Sequence, residues 1–306
     1  MPTSDDLSSC FPAVRYALAM AIIGTIGFCV TEAGLDPITM VFWRCVFATL
    51  FLGGWCLARG YLRSGTLSPR RLIQASIGGI CIVLSWVAFF AAFRLTSIAT
   101  TTIVYHVQPF LVVLLGVAFL RERIGAHHIV WMIVAFLGLV FASGLIATGD
   151  ALTGRWLLGI ALTLGAAALY AGTTIMAKEL AGQRPEVTAL CQTVVGVVLL
   201  APFAGFGQTV SGPSWAWLVG IGVIHTGVAY ILMYGALPQL ATPLIGVLTF
   251  IYPLVAILID WLVYAHPVSI QQIAGMLLIA LGTIGVKLDW RIPAGRLSAT
   301  RASVTR

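Results

Sequence analysis

Charge is what this chain of 306 residues has least of. Asp, Glu, Lys and Arg together make up 9% of it, against 60% hydrophobic residues. Soluble domains are about one quarter charged, so this chain cannot cover a water-facing surface. Soluble enzymes, nucleic-acid binders and disordered scaffolds are excluded on that ground. Acids are scarcest, ten against 17 basic residues, for a net charge of +7. The basic residues nevertheless form no patch beside a soluble module, so nucleic acid is not expected as a partner. The six cysteines (Cys10, Cys29, Cys45, Cys56, Cys81 and Cys191) show no CxxC spacing, and five lie in apolar runs. They read as small apolar residues, with no metal or disulfide framework. HExxH, GxSxG, a Walker loop and a dinucleotide fingerprint are all missing. The expectation is therefore no enzyme, no cofactor, no metal site and no ATP-driven pump. Asp5 and Asp6 precede the first apolar run with only Arg15 inside it, the wrong charge for a cleaved signal peptide. That run stays as a helix.

What the chain does have is long apolar runs, with a mean hydropathy of +1.02. A helix crosses the hydrocarbon core with about 20 apolar residues. Ten segments qualify, at 14–32, 38–58, 71–93, 97–120, 128–147, 156–177, 187–206, 215–235, 242–264 and 270–288. Asp36-Pro37, Ser68-Pro69 and Thr242-Pro243 place a capping oxygen before a proline suited to a first helical turn. Ser269 with Gln272 reads as a capping box. Taking the N-terminus as cytoplasmic, fourteen of the 17 basic residues fall on the cytoplasmic side. Arg44, Arg94 and Arg155 remain on the other. The positive-inside rule then places both termini in the cytoplasm. The excess positive charge becomes a topology signal.

Sliding the chain by 144 residues superposes Tyr105, Pro109 and Gly138 on Thr249, Pro253 and Gly282 without a gap. Apolar identities are cheap in membrane helices, but aligned mid-helix prolines and the pairs Leu137-Gly138 and Leu281-Gly282 are less so. Five spans per half is an odd number, so the halves take opposite orientations. Inverted repeats of this kind build secondary transporters, with substrate near the midplane between the halves.

Three stretches carry a resemblance: FWRCVFATL at 42–50, YHVQPFLVVLLGVAFLRERIG at 105–125, and its echo TFIYPLVAILIDWLVYAHPVS at 249–269. Over nearly its whole length the chain resembles EamA-type members of the drug/metabolite transporter superfamily. The resemblance implies an all-α polytopic protein with ten transmembrane helices as two inverted five-helix repeats, at 14–147 and 156–288, followed by a basic cytoplasmic tail at 289–306. It implies efflux of amino acids or related compounds. The family's first-half loop usually carries a Glu, matched by Glu122; the second half often repeats it, where this chain has His266. The family's helix-2 arginine is matched by Arg44.

Ionisable groups within a span are expensive and usually face a cavity or a partner. His106 and His225 are the deep ones, readable as substrate or proton-shuttling groups or as neutral rings bonded to a neighbouring helix. Trp86 and Phe90, four residues apart on one helix face, map by the 144-residue shift onto Tyr230 and Tyr234. They line a central space or pack as ordinary rings. Tyr105, His106 and Gln108 precede Pro109, and Tyr252 precedes Pro253; each proline frees a backbone carbonyl one turn earlier, marking a binding site or a bend. Substrate is thus expected at Trp86, Phe90, Tyr105, His106, Gln108, Tyr230, Tyr234 and Tyr252, with Glu32, Arg44, His225 and Asp260 as coupling or gating candidates. Arg44 reads first as an ion pair with Glu32 or Asp36, otherwise as an attractor of an anionic substrate group. Glu122, between Arg121 and Arg123, reads as a cytoplasmic loop brace. The expected partners are a small-molecule substrate and membrane lipid, for a monomer or dimer in the cell (inner) membrane. A membrane-embedded enzyme or a non-transporting sensor is the alternative, and the enzyme would need an acid and histidine cluster at one membrane face.

Overall fold

Local chemistry sets the helix ends. Asp36 Oδ1 accepts from the backbone N–H of Ile38 at 3.0 Å and of Thr39 at 3.1 Å, with Pro37 in the first turn. Ser269 and Gln272 bond reciprocally as a capping box, at 3.2 and 2.8 Å. Ser68 lies extended before Pro69 without a side-chain cap bond. Thr242 departs from the expected cap. It is the first residue of its helix, and its hydroxyl donates to Glu122 across the molecule.

The computed structural model describes residues 4–62, 68–96, 98–142, 154–207, 210–264 and 269–291. Its α-helices in chain order are α1 (Ser4–Gly24), α2 (Ile26–Ala33), α3 (Pro37–Ala58), α4 (Pro69–Ala92), α5 (Ile98–Tyr105), α6 (Gln108–Leu120) and α7 (Ala126–Ala142). The second half holds α8 (Gly154–Glu179), α9 (Pro185–Leu200), α10 (Gly212–Gly222), α11 (Ala229–Ala236), α12 (Thr242–Thr249), α13 (Ile251–Tyr264) and α14 (Ile270–Lys287). A π-helical segment, Val223–Val228, joins α10 to α11.

Eight helical stretches among the described residues are long and apolar enough to cross a membrane. Two apolar helices, α6 and α7, are shorter. Of the ten expected spans these two fall short, because one is broken and one runs beyond the described residues. The span predicted at 97–120 is interrupted at His106–Val107, leaving α5 and α6 as separate pieces. The last residues of the span predicted at 128–147 lie outside the described residues, as do most of the tail and His266. Large apolar side chains such as Leu57, Phe119 and Val198 point outward, a surface suited to hydrocarbon rather than water.

The two halves interleave. First-half α4 packs on second-half α8 and α9, α1 on α11 and α13, α6 on α8 and α12, and α7 on α14. The contact of α7 with α14 is made by the two glycines of the matched Leu-Gly pairs. A Cβ at Gly138 would lie 2.6 Å from the Gly275 carbonyl oxygen and 2.8 Å from the Ile279 nitrogen. A Cβ at Gly282 would lie 2.6 Å from the Trp131 carbonyl oxygen. Small residues let membrane helices approach to backbone contact, and no flexible side chain is available here to give way. Gly138→Val or Gly282→Val should therefore destabilise the protein by about 1–3 kcal/mol, read as a lowered thermal midpoint in detergent. Gly165→Ala, where an added Cβ meets nothing within 4 Å, should be neutral or stabilising. Equal midpoints for all three variants would refute the close-approach account.

Candidate functional site

The break in the polar span builds one wall of a cavity. Pro109 stands in the first turn of α6, where its missing N–H does no harm. His106, between the two pieces, places its Nδ1 2.6 Å from the Thr102 carbonyl oxygen. A carbonyl only accepts, so Nδ1 carries a proton, and in the neutral form of the ring Nε2 is an acceptor. The ring lies between Phe250 and Tyr252, with centroids 5.8 and 5.6 Å away. Gln108 follows, 1% exposed, and neither its Nε2 nor its Oε1 has a hydrogen-bond partner. A buried amide left in that state costs about 1–3 kcal/mol.

Arg44 closes the opposite wall. It comes from α3, is 2% exposed, and places its guanidinium 3.8 Å from the Trp86 ring centroid. Its Nε donates to Thr226 Oγ1 at 2.6 Å, and the Thr226 hydroxyl donates in turn to the Ile221 carbonyl at 3.0 Å. The π-helical segment thus orients the arginine. Among the described residues Arg44 forms no ion pair, so the expected pairing with Glu32 or Asp36 is corrected. Asp36 is committed to capping α3, and Arg44 lies eight residues on, about 12 Å further along the helix.

A partly open cavity lies between these walls, lined by residues of both repeats. Of the residues expected around substrate, Trp86, Phe90, Tyr105, His106, Gln108, Tyr230 and Tyr252 line it together. Trp86 and Tyr230 meet edge to face at 5.7 Å. Tyr234 does not line it. Its hydroxyl donates to Gln192 Oε1 at 2.5 Å, and its ring backs Tyr230 at 5.2 Å. His225 is also outside the lining, bonded to the Thr25 hydroxyl at 2.8 Å and the Gly220 carbonyl at 3.3 Å. Glu32 is exposed near the end of α2, and the side chain of Asp260 lies outside the described residues.

Sequence reasoning missed Met20, Ile23, Ile26, Phe89 and Tyr170, which with Arg44 and Thr249 complete the lining. A signal for two of them existed. Ile26 and Tyr170 are 144 residues apart, as are Trp86 and Tyr230, Tyr105 and Thr249, and Gln108 and Tyr252. Extending the repeat to the first helix of each half leads to Tyr170. Metal-ligating groups are elsewhere. Among the described residues, His127, His128 and Asp289 form a grouping able to hold an ion, with ligand atoms within 4.8 Å of one another.

The description of an EamA-like transporter family matches residues 12–144 and, a second time, 157–288. The chain belongs to the EamA-like transporter family. It is 35% identical over 271 residues to the uncharacterized transporter YxxF of Bacillus subtilis strain 168, covering 88% of this chain and 87% of that one. It is 24% identical over 288 residues to an uncharacterized transporter of Archaeoglobus fulgidus, covering 92% and 98%. A solved crystal structure is similar with a TM-score of 0.79 at 19% identity, over 90% of this chain and 98% of that one, a likeness of fold. The protein is a membrane transporter with two EamA repeats.

At one end of this EamA-like transporter, Glu122 ties the repeats together. Its Oε1 accepts from Lys178 Nζ at 2.5 Å, and its Oε2 accepts from the Thr242 hydroxyl at 2.6 Å and the Thr242 N–H at 3.3 Å. This is the brace expected of Glu122, made between repeats. Burial alone would raise the carboxyl, but the bonds from Lys178 and Thr242 outweigh it and hold Glu122 below its ordinary value of 4.5. Nearby, His127 Nε2 donates to Asp289 Oδ1 at 2.6 Å, and Trp131 Nε1 donates to the Trp290 carbonyl at 2.9 Å. A depressed carboxylate stabilises above its unfolded value and loses that contribution as pH falls through its folded value. Glu122→Gln should cost about 1–2 kcal/mol at neutral pH. It should also abolish part of the loss of thermal stability that the wild type shows between about pH 5 and 3. Identical acid profiles for the two proteins would show that the brace contributes nothing.

Proposed function

We propose that this chain is a secondary transporter exporting small metabolites, amino acids or related compounds with an apolar or aromatic body, by alternating access around the central cavity. In this reading ten spans form two inverted five-helix repeats in the cell (inner) membrane, with both termini cytoplasmic. The observation that carries it is the cavity's construction from both repeats. Four pairs of lining residues are related by one 144-residue shift, and the cavity lies where α5 meets α6 and α12 meets α13. Broken helices whose irregular backbone faces a cavity are the usual membrane binding site. Support for the topology comes from the fourteen-to-three split of basic residues. No carboxylate lines the cavity among the described residues, so coupling through a cavity acid has no support. Transport is then facilitated or weakly pH-dependent, with His106 the titratable ring in the cavity wall.

Purified protein in liposomes, challenged with a panel of labelled amino acids and related metabolites, tests the reading directly. Removing a cavity ring in a desolvated site is worth about 1–3 kcal/mol, or roughly tenfold to a hundredfold in affinity. Trp86→Ala and Tyr105→Ala should lower transport by that order, normalised to protein level. Phe119→Ala, whose ring is 68% exposed on the outer surface, should leave it unchanged. Equal damage from Phe119→Ala, or no flux of any panel member, would overturn the assignment.

A further inference from the structure

We infer that the charged group taken by the cavity is a single carboxylate on an apolar or aromatic body, held by Arg44 and Gln108, and that an amino group adds nothing to recognition. The inference rests on the transporter reading above and narrows it.

A guanidinium buried in a span is costly unless an anion or strong acceptors compensate it. Arg44 has the Thr226 hydroxyl, the Trp86 face and the Tyr230 hydroxyl beside it, and among the described residues no carboxylate. Its Nε is committed to Thr226, which fixes the plane of a fork carrying four further N–H donors. Such a fork matches a carboxylate in two parallel bonds. The charge is confined to one repeat. The position related by the 144-residue shift is Thr188, whose hydroxyl bonds the Arg184 carbonyl in its own helix.

Gln108 supplies the second, independent observation. It lines the same cavity, is 1% exposed, and both its amide atoms lack partners. Buried polar groups in native structures are nearly always paired, so the orphaned amide of this cavity-lining residue is the group a ligand atom would satisfy. Its NH2 can donate to a carboxylate oxygen that Arg44 leaves unfilled. One fixed cation neutralises one negative charge, and apart from His106, Thr249 and the tyrosine hydroxyls the remaining wall is apolar, which favours a monoanion over a dianion. An ammonium group would find no carboxylate among the described lining residues.

Three probes sharing a phenyl body separate the possibilities: 3-phenylpropionate, phenylalanine and phenethylamine, titrated calorimetrically onto the full chain in nanodiscs. The expected order is 3-phenylpropionate at least as tight as phenylalanine, and both tenfold or more tighter than phenethylamine. Gln108→Leu should weaken 3-phenylpropionate about tenfold while keeping or raising the thermal midpoint, because it removes an unpaired amide. A merely structural glutamine would instead lower the midpoint. Arg44→Gln should weaken the two carboxylates and leave phenethylamine unaffected; Arg44→Lys keeps the charge without the fork and should fall between. The inference is overturned if phenethylamine binds as well as the acids, if phenylalanine exceeds 3-phenylpropionate tenfold, if Gln108→Leu leaves acid binding intact, or if no probe binds. Flux of a panel metabolite with any of these results would leave the transporter reading standing without the carboxylate.

Discussion

In hydrocarbon every backbone polar group needs a partner inside the protein, and that constraint organises this molecule. A continuous helix meets it automatically. Departures from a continuous helix are tolerated only where they face protein or a cavity, and the departures here obey that limit. The break at His106–Val107 puts Tyr105, His106 and Gln108 on the cavity wall, and the break at Phe250 puts Thr249 and Tyr252 there. The π-helical segment turns Thr226 toward Arg44 and gives His225 to Thr25, at the junction of α1 and α2. Irregular backbone and polar side chains are therefore found together, and the cavity is where they converge.

Repetition builds the cavity and asymmetry gives it chemistry. Trp86 and Tyr230 are matched rings, and Ile26 and Tyr170 are matched positions on the first helix of each half. Three polar lining residues have no matched partner in kind. Arg44 corresponds to Thr188, Gln108 to Tyr252 and His106 to Phe250. One repeat thus carries the charge, the amide and the imidazole, while the other answers with hydroxyls and rings.

Much of this was legible in the sequence, for identifiable reasons. The apolar runs, the capping box at Ser269 and the cap at Asp36 are local signals and read directly. Seven of the eight expected cavity residues line it, drawn from several helices whose aromatic pairs and helix-breaking prolines were visible in the sequence. Arg44 was misread because nearness in sequence to Glu32 and Asp36 suggested a pair. The real neighbours, Thr226 and Trp86, come from elements far along the chain that only tertiary packing brings close. Tyr234 shares a helix face with Tyr230, yet Gln192 on α9 takes its hydroxyl, a contact no periodicity contains. Thr242 read as a cap because a Thr-Pro pair usually is one, and the competing acceptor, Glu122, lies 120 residues away.

The brace and the cavity are not independent features. Helix α6 starts at Gln108 in the cavity wall and ends at Leu120, two residues before Glu122. Helix α12 runs the other way, from Thr242 on the brace to Thr249 in the cavity wall. These are rods of about 20 and 12 Å, one from each repeat, packed against each other. Both join the same two places. Packed helices shift as units rather than bending continuously. In the proposed cycle, a ligand that satisfies Gln108 changes the load on the cavity end of α6. The Glu122 contacts to Thr242 and Lys178 are then the bonds that a relative displacement of the rods must break. A ligand moves that equilibrium only by its difference in affinity for the closed and open arrangements. If the proposed ligand contact with Gln108 is made in one arrangement only, it supplies such a difference.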